Sequence, residues 1–415
     1  MNSDLPLQSL HNDDPRFWRR PLDIALVTET YPPEVNGVAG TVARVVEGLR
    51  ARSHRVQLVR PRQPQAPLSA IKPGLEDLLL PSLPIPNYPG LRMGLPAAGT
   101  LGRVWAARRP DVVHIATEGP LGWSALRAAR RLALPVTSDF RTNFHAYSSH
   151  YGIGWLRRPI MGYLRGFHNA AQCTMVPTEA LRRELQSAGF ERVVAVARGV
   201  DAQRFSPSDR SEELRRAWGA GPDDLVVLLV GRLAPEKNID DLMLAFAAIR
   251  SAQPRARLVL VGDGPSRTAL QARFPAVIFA GMQTGDDLTR HYASGDLFVF
   301  PSVTETFGNV VVEAMASGLP VLAYDRAAAS LVVKTGVNGA LAAVGDRATF
   351  VQHAAALAAD PGAIRRMGVA AREAALGLDW ERIVVQIEAL FLAATIARHV
   401  PRSSAALVAE WGAPG

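Results

Sequence analysis

From residue 22 onward, short apolar runs alternate with longer stretches in which apolar residues recur every three or four positions. The short runs, bounded by turn residues, predict buried strands, and the longer rhythm predicts helices. Strands are predicted at 22–29, 55–60, 112–115, 135–138 and 173–176, with helices at 40–52 and 121–132. The pattern then restarts, with strands at 224–231, 257–262, 277–279, 297–300 and 320–323 and helices at 239–250, 266–273, 287–294 and 308–317. Such alternation predicts two α/β units, each a parallel sheet with helices on both faces. Polar, turn-rich residues 199–222 separate them. The organisation expected is an extension at 1–21, a first unit at 22–205 and a second at 206–380. A last helix at 381–400 is expected to pack back toward the first unit, ahead of a frayed tail at 401–415. Residues 61–100, rich in Pro and Gly, predict a long functional loop.

Composition narrows the class. Apolar residues make up 48% of 415, enough for two cores. The net charge of +8 is unevenly placed: residues 1–200 carry 25 Lys and Arg against 15 Asp and Glu, the remainder 21 against 23. A basic first half suits an anionic membrane surface, and equally a soluble Arg-rich surface, since Lys72, Lys237 and Lys334 are the only lysines. No aromatic-interleaved basic motif or zinc-finger spacing supports nucleic acid as a partner. A single cysteine, Cys173, leaves no internal disulfide and fits a reducing compartment. No segment has a signal-peptide layout or the ~20 apolar residues of a membrane span. The expectation is a cytoplasmic protein, peripheral on the inner face of the membrane if it meets one.

Ligands of open α/β sheets bind beyond the carboxyl ends of the strands, so the loops there are where chemistry is sought. The first, 29–40, contains Asn36, Gly37 and Val38 ahead of a helix, where free amides approach a phosphate closely. The second, 231–238, places Arg232 and Lys237 around a proline turn, a fork and a point charge suited to clamping a diphosphate. The third, 262–265, offers Gly262 and Gly264 at a strand end. The fourth, 301–320, holds Glu305 just before a helix N-terminus and Glu313 about two turns inside, with Phe307, Gly308 and Asn309 between them. A carboxylate on an otherwise apolar helix needs a partner, and sugar or ribose hydroxyls serve. Glu118, at a strand end before a helix, is read as facing the same cleft.

These four loops, in this order, resemble the retaining glycosyltransferases of family 4, over roughly residues 22–395. The resemblance implies the GT-B fold: two doubly wound Rossmann-like domains facing across a cleft. It implies that Glu305 holds hydroxyls of the donor sugar and Glu313 the ribose. Amides of Phe307, Gly308 and Asn309 would touch sugar or phosphate, and Arg232 and Lys237 would neutralise the departing nucleoside diphosphate. No metal and no resident cofactor are implied; the donor would be a GDP- or UDP-sugar. One departure stands out. Many relatives carry a His in the stretch that reads 139–150 here, and Arg141 occupies its place, with His145 and His150 farther on and Asp139 beside it. Either His145 takes over that role or Arg141 changes how sugar and phosphate are held.

The implied activity is transfer of a mannose- or glucose-type hexose to a hydroxyl, with retained configuration. Segments such as TEGPLGW look like those of mannosyl- and sulfoquinovosyl-type enzymes acting on lipids, so a glycolipid or cell-envelope glycan is the expected acceptor. The alternatives are a GT-B-like sugar-nucleotide epimerase, which needs no acceptor, and a non-catalytic relative that only binds the nucleotide sugar.

Overall fold

A computed structural model describes residues 20–63, 73–85, 92–141 and 157–396. The first unit is built on a seven-stranded parallel sheet: β1 (Asp23–Val27), β2 (Arg55–Pro61), β3 (Leu75–Leu80), β6 (Val112–Ile115), β7 (Val136–Asp139), β8 (Cys173–Val176) and β9 (Val193–Ala195), in the order β3-β2-β1-β6-β7-β8-β9. The hairpin between them is β4 (Ser82–Pro84) and β5 (Arg92–Gly94). The second unit is a six-stranded parallel sheet: β10 (Val226–Val230), β11 (Arg257–Val261), β12 (Ile278–Gly281), β13 (Leu297–Phe300), β14 (Val321–Tyr324) and β15 (Gly339–Ala342), ordered β12-β11-β10-β13-β14-β15. In each sheet the strand order reverses at the first strand, so a crevice opens between β1 and β6 and another between β10 and β13.

The first strand of each unit, β1 and β10, is almost wholly apolar because both faces are covered. In β10, Val226, Leu228 and Val230 enter one core while Val227 and Leu229 enter the core on the other face. In β1, Ile24 and Leu26 face one cluster and Ala25 and Val27 the other. Each fully buried Val, Leu or Ile contributes about 1.5–3 kcal/mol, which holds the strand ends, and so the loops leaving them, in fixed register.

Three expectations change. Residues 61–100 are not one long loop: their described part completes β2, forms β3 and the β4–β5 hairpin, and starts helix Ala98–Ala107. Pro61, Pro84 and Gly94 lie within these strands, and Pro73, Gly74 and Pro81 directly beside them. Helix Asn309–Ala316 is only eight residues long, so Glu313 lies one turn inside it rather than two. Helices Arg157–His168 and Glu179–Ser187, and strands β9 and β15, fall where no element was expected.

Helix Trp380–Ile396 follows the second unit yet packs on helix Gly37–Ala51 of the first. Gly48 permits the approach, since a Cβ there would meet the Val384 side chain at 2.4 Å. The buried Glu388 fastens the helix: it accepts from Arg52 Nε at 2.6 Å and from His54 Nε2 at 2.9 Å, while His54 Nδ1 accepts the Leu22 amide at 3.0 Å. Because Nδ1 accepts, Nε2 carries the proton and donates. Glu388→Ala leaves these donors unpaired and should destabilise the protein by about 3 kcal/mol, the scale for breaking a buried pair. Glu388→Gln keeps one acceptor and should cost less. Urea unfolding of both variants checks this; equal stability for wild type and Glu388→Ala would show that the helix is fastened otherwise.

Candidate active site

The loop after β10 turns through a 3-10 segment, Pro235–Lys237, and ends at Asn238 in the left-handed region with φ of 49°. Asn238 Nδ2 donates to Pro301 O at 3.0 Å, tying this loop to the one after β13. Across that tie, Lys237 Nζ forms an ion pair with Glu305 Oε1. Ser302 Oγ donates to the same oxygen at 2.9 Å, and Nζ lies 5.4 Å from the centre of the Phe300 ring. Burial alone would raise the Glu305 pKa; the Lys237 charge and the two hydrogen bonds outweigh it and hold the carboxyl below its ordinary value. The pair sits where β10 and β13 part. Arg232, on the same loop, bonds Glu236 Oε1 at 2.7 Å.

Gly262 and Gly264 are where backbones meet. A Cβ on Gly262 would lie 2.0 Å from Gly231 O, and one on Gly264 would lie 2.4 Å from Leu233 O, both at positive φ. Gly231 N and Leu233 N donate across the same contact, each at 2.9 Å, to Val261 O and Asp263 O. These glycines let the third loop brace the one that carries Arg232 and Lys237.

Gly308, at φ of 87°, starts helix Asn309–Ala316, with Phe307 buried beside it. Glu313 accepts from the buried Tyr292 hydroxyl at 2.9 Å, and burial raises its pKa above the ordinary value. In the first unit, Asn36 caps helix Gly37–Ala51, its Oδ1 accepting from Val38 N at 3.1 Å and Ala39 N at 2.8 Å. Those two amides are thus used by the cap. The two units touch here: Asn309 Nδ2 reaches Gly37 O at 3.3 Å, and Thr306 Oγ1 donates to Arg141 O at 2.9 Å.

Arg141 is buried, and its guanidinium binds Asp139 Oδ2 from Nε at 2.7 Å and from Nη2. His114 Nε2 lies 3.1 Å from the same oxygen. Burial would raise the Asp139 pKa, but the two neighbours hold it well below the carboxylate range. Close by, Glu118 is buried with no hydrogen bond to either carboxyl oxygen among the described residues. Burial, aided by the Asp139 charge, pushes it up to about 8. His145 and His150 lie outside the described residues.

The structure thus joins Lys237 to Glu305 directly and brings Arg141, Asn309 and Gly37 to the facing surfaces. It places Glu313 with Tyr292, and Arg232 with Glu236. Sequence reasoning missed Ser302, Tyr292 and the buried Arg198, whose guanidinium lies 5.5 Å from the Phe307 ring centre. None follows from periodicity, because each acts by contact with a distant element. Glu29 was also unmarked: its carboxylate accepts from Leu121 N at 2.8 Å and Gly94 N at 2.6 Å, fastening the N-terminus of helix Pro120–Arg131 and the hairpin to the first crevice.

Comparison with known proteins agrees with this geometry. Residues 35–204 match the model described as Glycosyltransferase Family 4, and residues 224–360 that described as Glycosyl transferases group 1. The chain is 38% identical over 360 residues to a GDP-mannose-dependent alpha-mannosyltransferase of Mycobacterium tuberculosis, covering 86% of this chain and 93% of that one. It is 31% identical to a sulfoquinovosyl transferase of Arabidopsis thaliana, covering 90% and 74%. An alpha-monoglucosyldiacylglycerol synthase of Streptococcus pneumoniae is 28% identical, covering 77% and 74%. Among solved structures, sucrose-phosphate synthase from Thermosynechococcus elongatus superposes with a TM-score of 0.74 at 21% identity, covering 90% of this chain and 99% of that one. These curated relatives are transferases, which favours transfer over epimerisation.

Two outcomes test the site. Lys237→Ala should keep the fold and lower turnover at least ~100-fold, the scale for losing one preorganised charge-stabilising group; wild-type turnover would reject the clamp. For Glu118, the folded pKa of about 8 lies above its ordinary 4.5. Between those values the folded chain holds a proton that the unfolded chain has released, so stability falls as pH rises. Glu118→Gln lacks this loss, and its stability relative to wild type should climb by a few kcal/mol from pH 4.5 to 8 and then level off. A pH-independent difference in urea unfolding would show that Glu118 ionises normally.

Proposed function

The chain belongs to glycosyltransferase family 4, with the GT-B fold, and from that membership we propose that it moves a hexose from a nucleoside-diphosphate sugar to the hydroxyl of a lipid or glycan, retaining the anomeric configuration. The observation that carries this reading is the Lys237–Glu305 pair at the reversal point of the second sheet. The diphosphate competes with Glu305 for Lys237. Its charge replaces that of the carboxylate, and Glu305 is released to accept hydroxyls of the sugar. Lys237 then stabilises the negative charge that builds on the leaving diphosphate. Arg232 adds a second cation from the same loop, and amides of Phe307, Gly308 and Asn309, at a helix start, complete the cradle. Gly37, held in place by the Asn36 cap and facing the Asn309 side chain, closes it from the first unit. Glu313 serves the ribose.

The carboxylates of the crevice are otherwise engaged: Asp139 is held by Arg141 and His114, Glu118 keeps its proton at neutral pH, and Glu305, once released from Lys237, is taken up by the sugar's hydroxyls. Front-face attack follows, with the diphosphate taking the acceptor's proton. Arg141 stands where many relatives carry His, and steers the sugar through its main-chain link to Thr306.

A lipid acceptor at an anionic membrane surface is supported by the first unit. Trp123 and Tyr163 are exposed and meet edge-on, ring centres 5.8 Å apart, and helix Arg157–His168, which carries Tyr163, also carries the exposed Arg158 and Arg165. Aromatic and basic side chains together suit a headgroup layer. Among the described residues no helix is long and apolar enough to cross a membrane; in this reading the chain meets the membrane peripherally, on its cytoplasmic face.

Thermal-shift measurement with GDP, UDP and ADP and their hexose conjugates tests the donor. One nucleotide family should raise the melting temperature as its concentration passes Kd, and that conjugate should transfer its sugar to extracted lipid and remain unchanged when incubated alone. Interconversion of the conjugate without acceptor would establish the epimerase. Sedimentation with anionic vesicles tests the surface; full activity on a soluble sugar with no vesicle binding would remove the lipid.

A further inference from the structure

Arg198 lies just beyond β9, in the segment that leads from the first unit to the second, and is 7% exposed. Its guanidinium centre lies 5.5 Å from the Phe307 ring centre, against the loop that carries Glu305. With Asp139, Arg141 and Trp380 it lines a small cavity between the first unit and helix Trp380–Ile396. Among the described residues it makes no hydrogen bond and no ion pair. The neighbouring carboxylates are already taken. Asp139 holds Arg141 and His114, and Glu305 holds Lys237 and Ser302. Glu118, the remaining carboxyl near Arg141, keeps its proton at neutral pH. The crevice therefore carries one buried cation more than it has anions.

A nearly buried guanidinium with no protein hydrogen bond among the described residues is costly, and an anion from outside relieves that cost. We propose that Arg198 is a further phosphate-binding cation of the donor site, its planar fork taking oxygens of the nucleoside diphosphate beside Lys237. The inference rests on the donor reading above. The fork geometry matches phosphate oxygens, and the position next to Phe307 puts it at the start of helix Asn309–Ala316, where the same anion is expected. Burial and the nearby Arg141 push the Arg198 pKa down to about 9, which leaves it cationic at neutral pH. An acidic group on the donor sugar has the same chemistry, and the experiment separates the two.

Calorimetric titration of wild type and Arg198→Met with GDP and UDP, with guanosine and uridine, and with UDP-glucuronic acid decides it. Arg198→Met removes an unpaired buried charge, so the ligand-free variant should melt no lower than wild type. Its affinity for the diphosphate should fall by roughly 10-fold or more, the scale of a charge-assisted hydrogen bond, with affinity for the nucleoside unchanged. Arg198→Lys should recover part of the loss. Diphosphate affinity equal to that of wild type would overturn the inference, including the case in which only a donor with an acidic sugar is weakened. Equal losses for diphosphate and nucleoside, or a lower melting temperature, would assign Arg198 a structural role instead. If wild type binds neither diphosphate, the donor reading falls together with this one.

Discussion

The ion pair between Lys237 and Glu305 links the two loops that leave the second sheet at its reversal point. Two half-buried charges persist there only because each neutralises the other. Ser302 and the Asn238–Pro301 bond fix the loops on either side. Gly262 and Gly264 brace the lysine loop from behind by letting two backbones touch where a Cβ would clash. In the proposed reading the arrangement is preorganised and exchangeable at once, because an incoming diphosphate replaces the lysine's carboxylate partner. Retaining transfer with the leaving group as base needs little more from the protein than such a cation and a rigid cradle.

The first unit contributes the opposite wall. Its Asp139–Arg141–His114 cluster is fully paired, and the Arg141 carbonyl and Gly37 carbonyl accept from Thr306 and Asn309 of the second unit. Helix Trp380–Ile396 crosses from the second unit onto the first through Glu388, so the two walls are joined by a continuous chain segment and by a buried polar knot. Glu118 and Arg198 are different. Both are buried ionisable groups without a hydrogen-bond partner among the described residues, and strained groups of this kind gather at functional sites.

Much of this was legible in the sequence. Central strands such as β1 and β10 are unbroken apolar runs, so their existence and parallel packing followed from composition alone. Lys237 and the Glu305–Glu313 segment stood out because Lys is rare in this chain and because Glu313 interrupts an apolar helix, and the structure brings Lys237 and Glu305 together. What could not be read is set by long-range contact. Glu305 and Lys237 are 68 residues apart, and Glu388 lies 334 from His54. Short edge strands such as β9, with three residues, carry too little pattern to register. The 61–100 segment looked irregular because its strands are brief and separated by prolines. Gly262 and Gly264 look alike whether they serve a ligand or a neighbouring backbone; only the structure puts Gly231 O and Leu233 O against them. Arg198 is one arginine among many until its lack of a partner is seen.

A crystal structure with the preferred nucleoside diphosphate bound tests the central claim most directly. The account predicts phosphate oxygens within hydrogen-bond distance of Lys237 Nζ and of the amides at the start of helix Asn309–Ala316, with Glu305 turned away from the lysine. A diphosphate held elsewhere while Lys237 remains closed on Glu305 would contradict it.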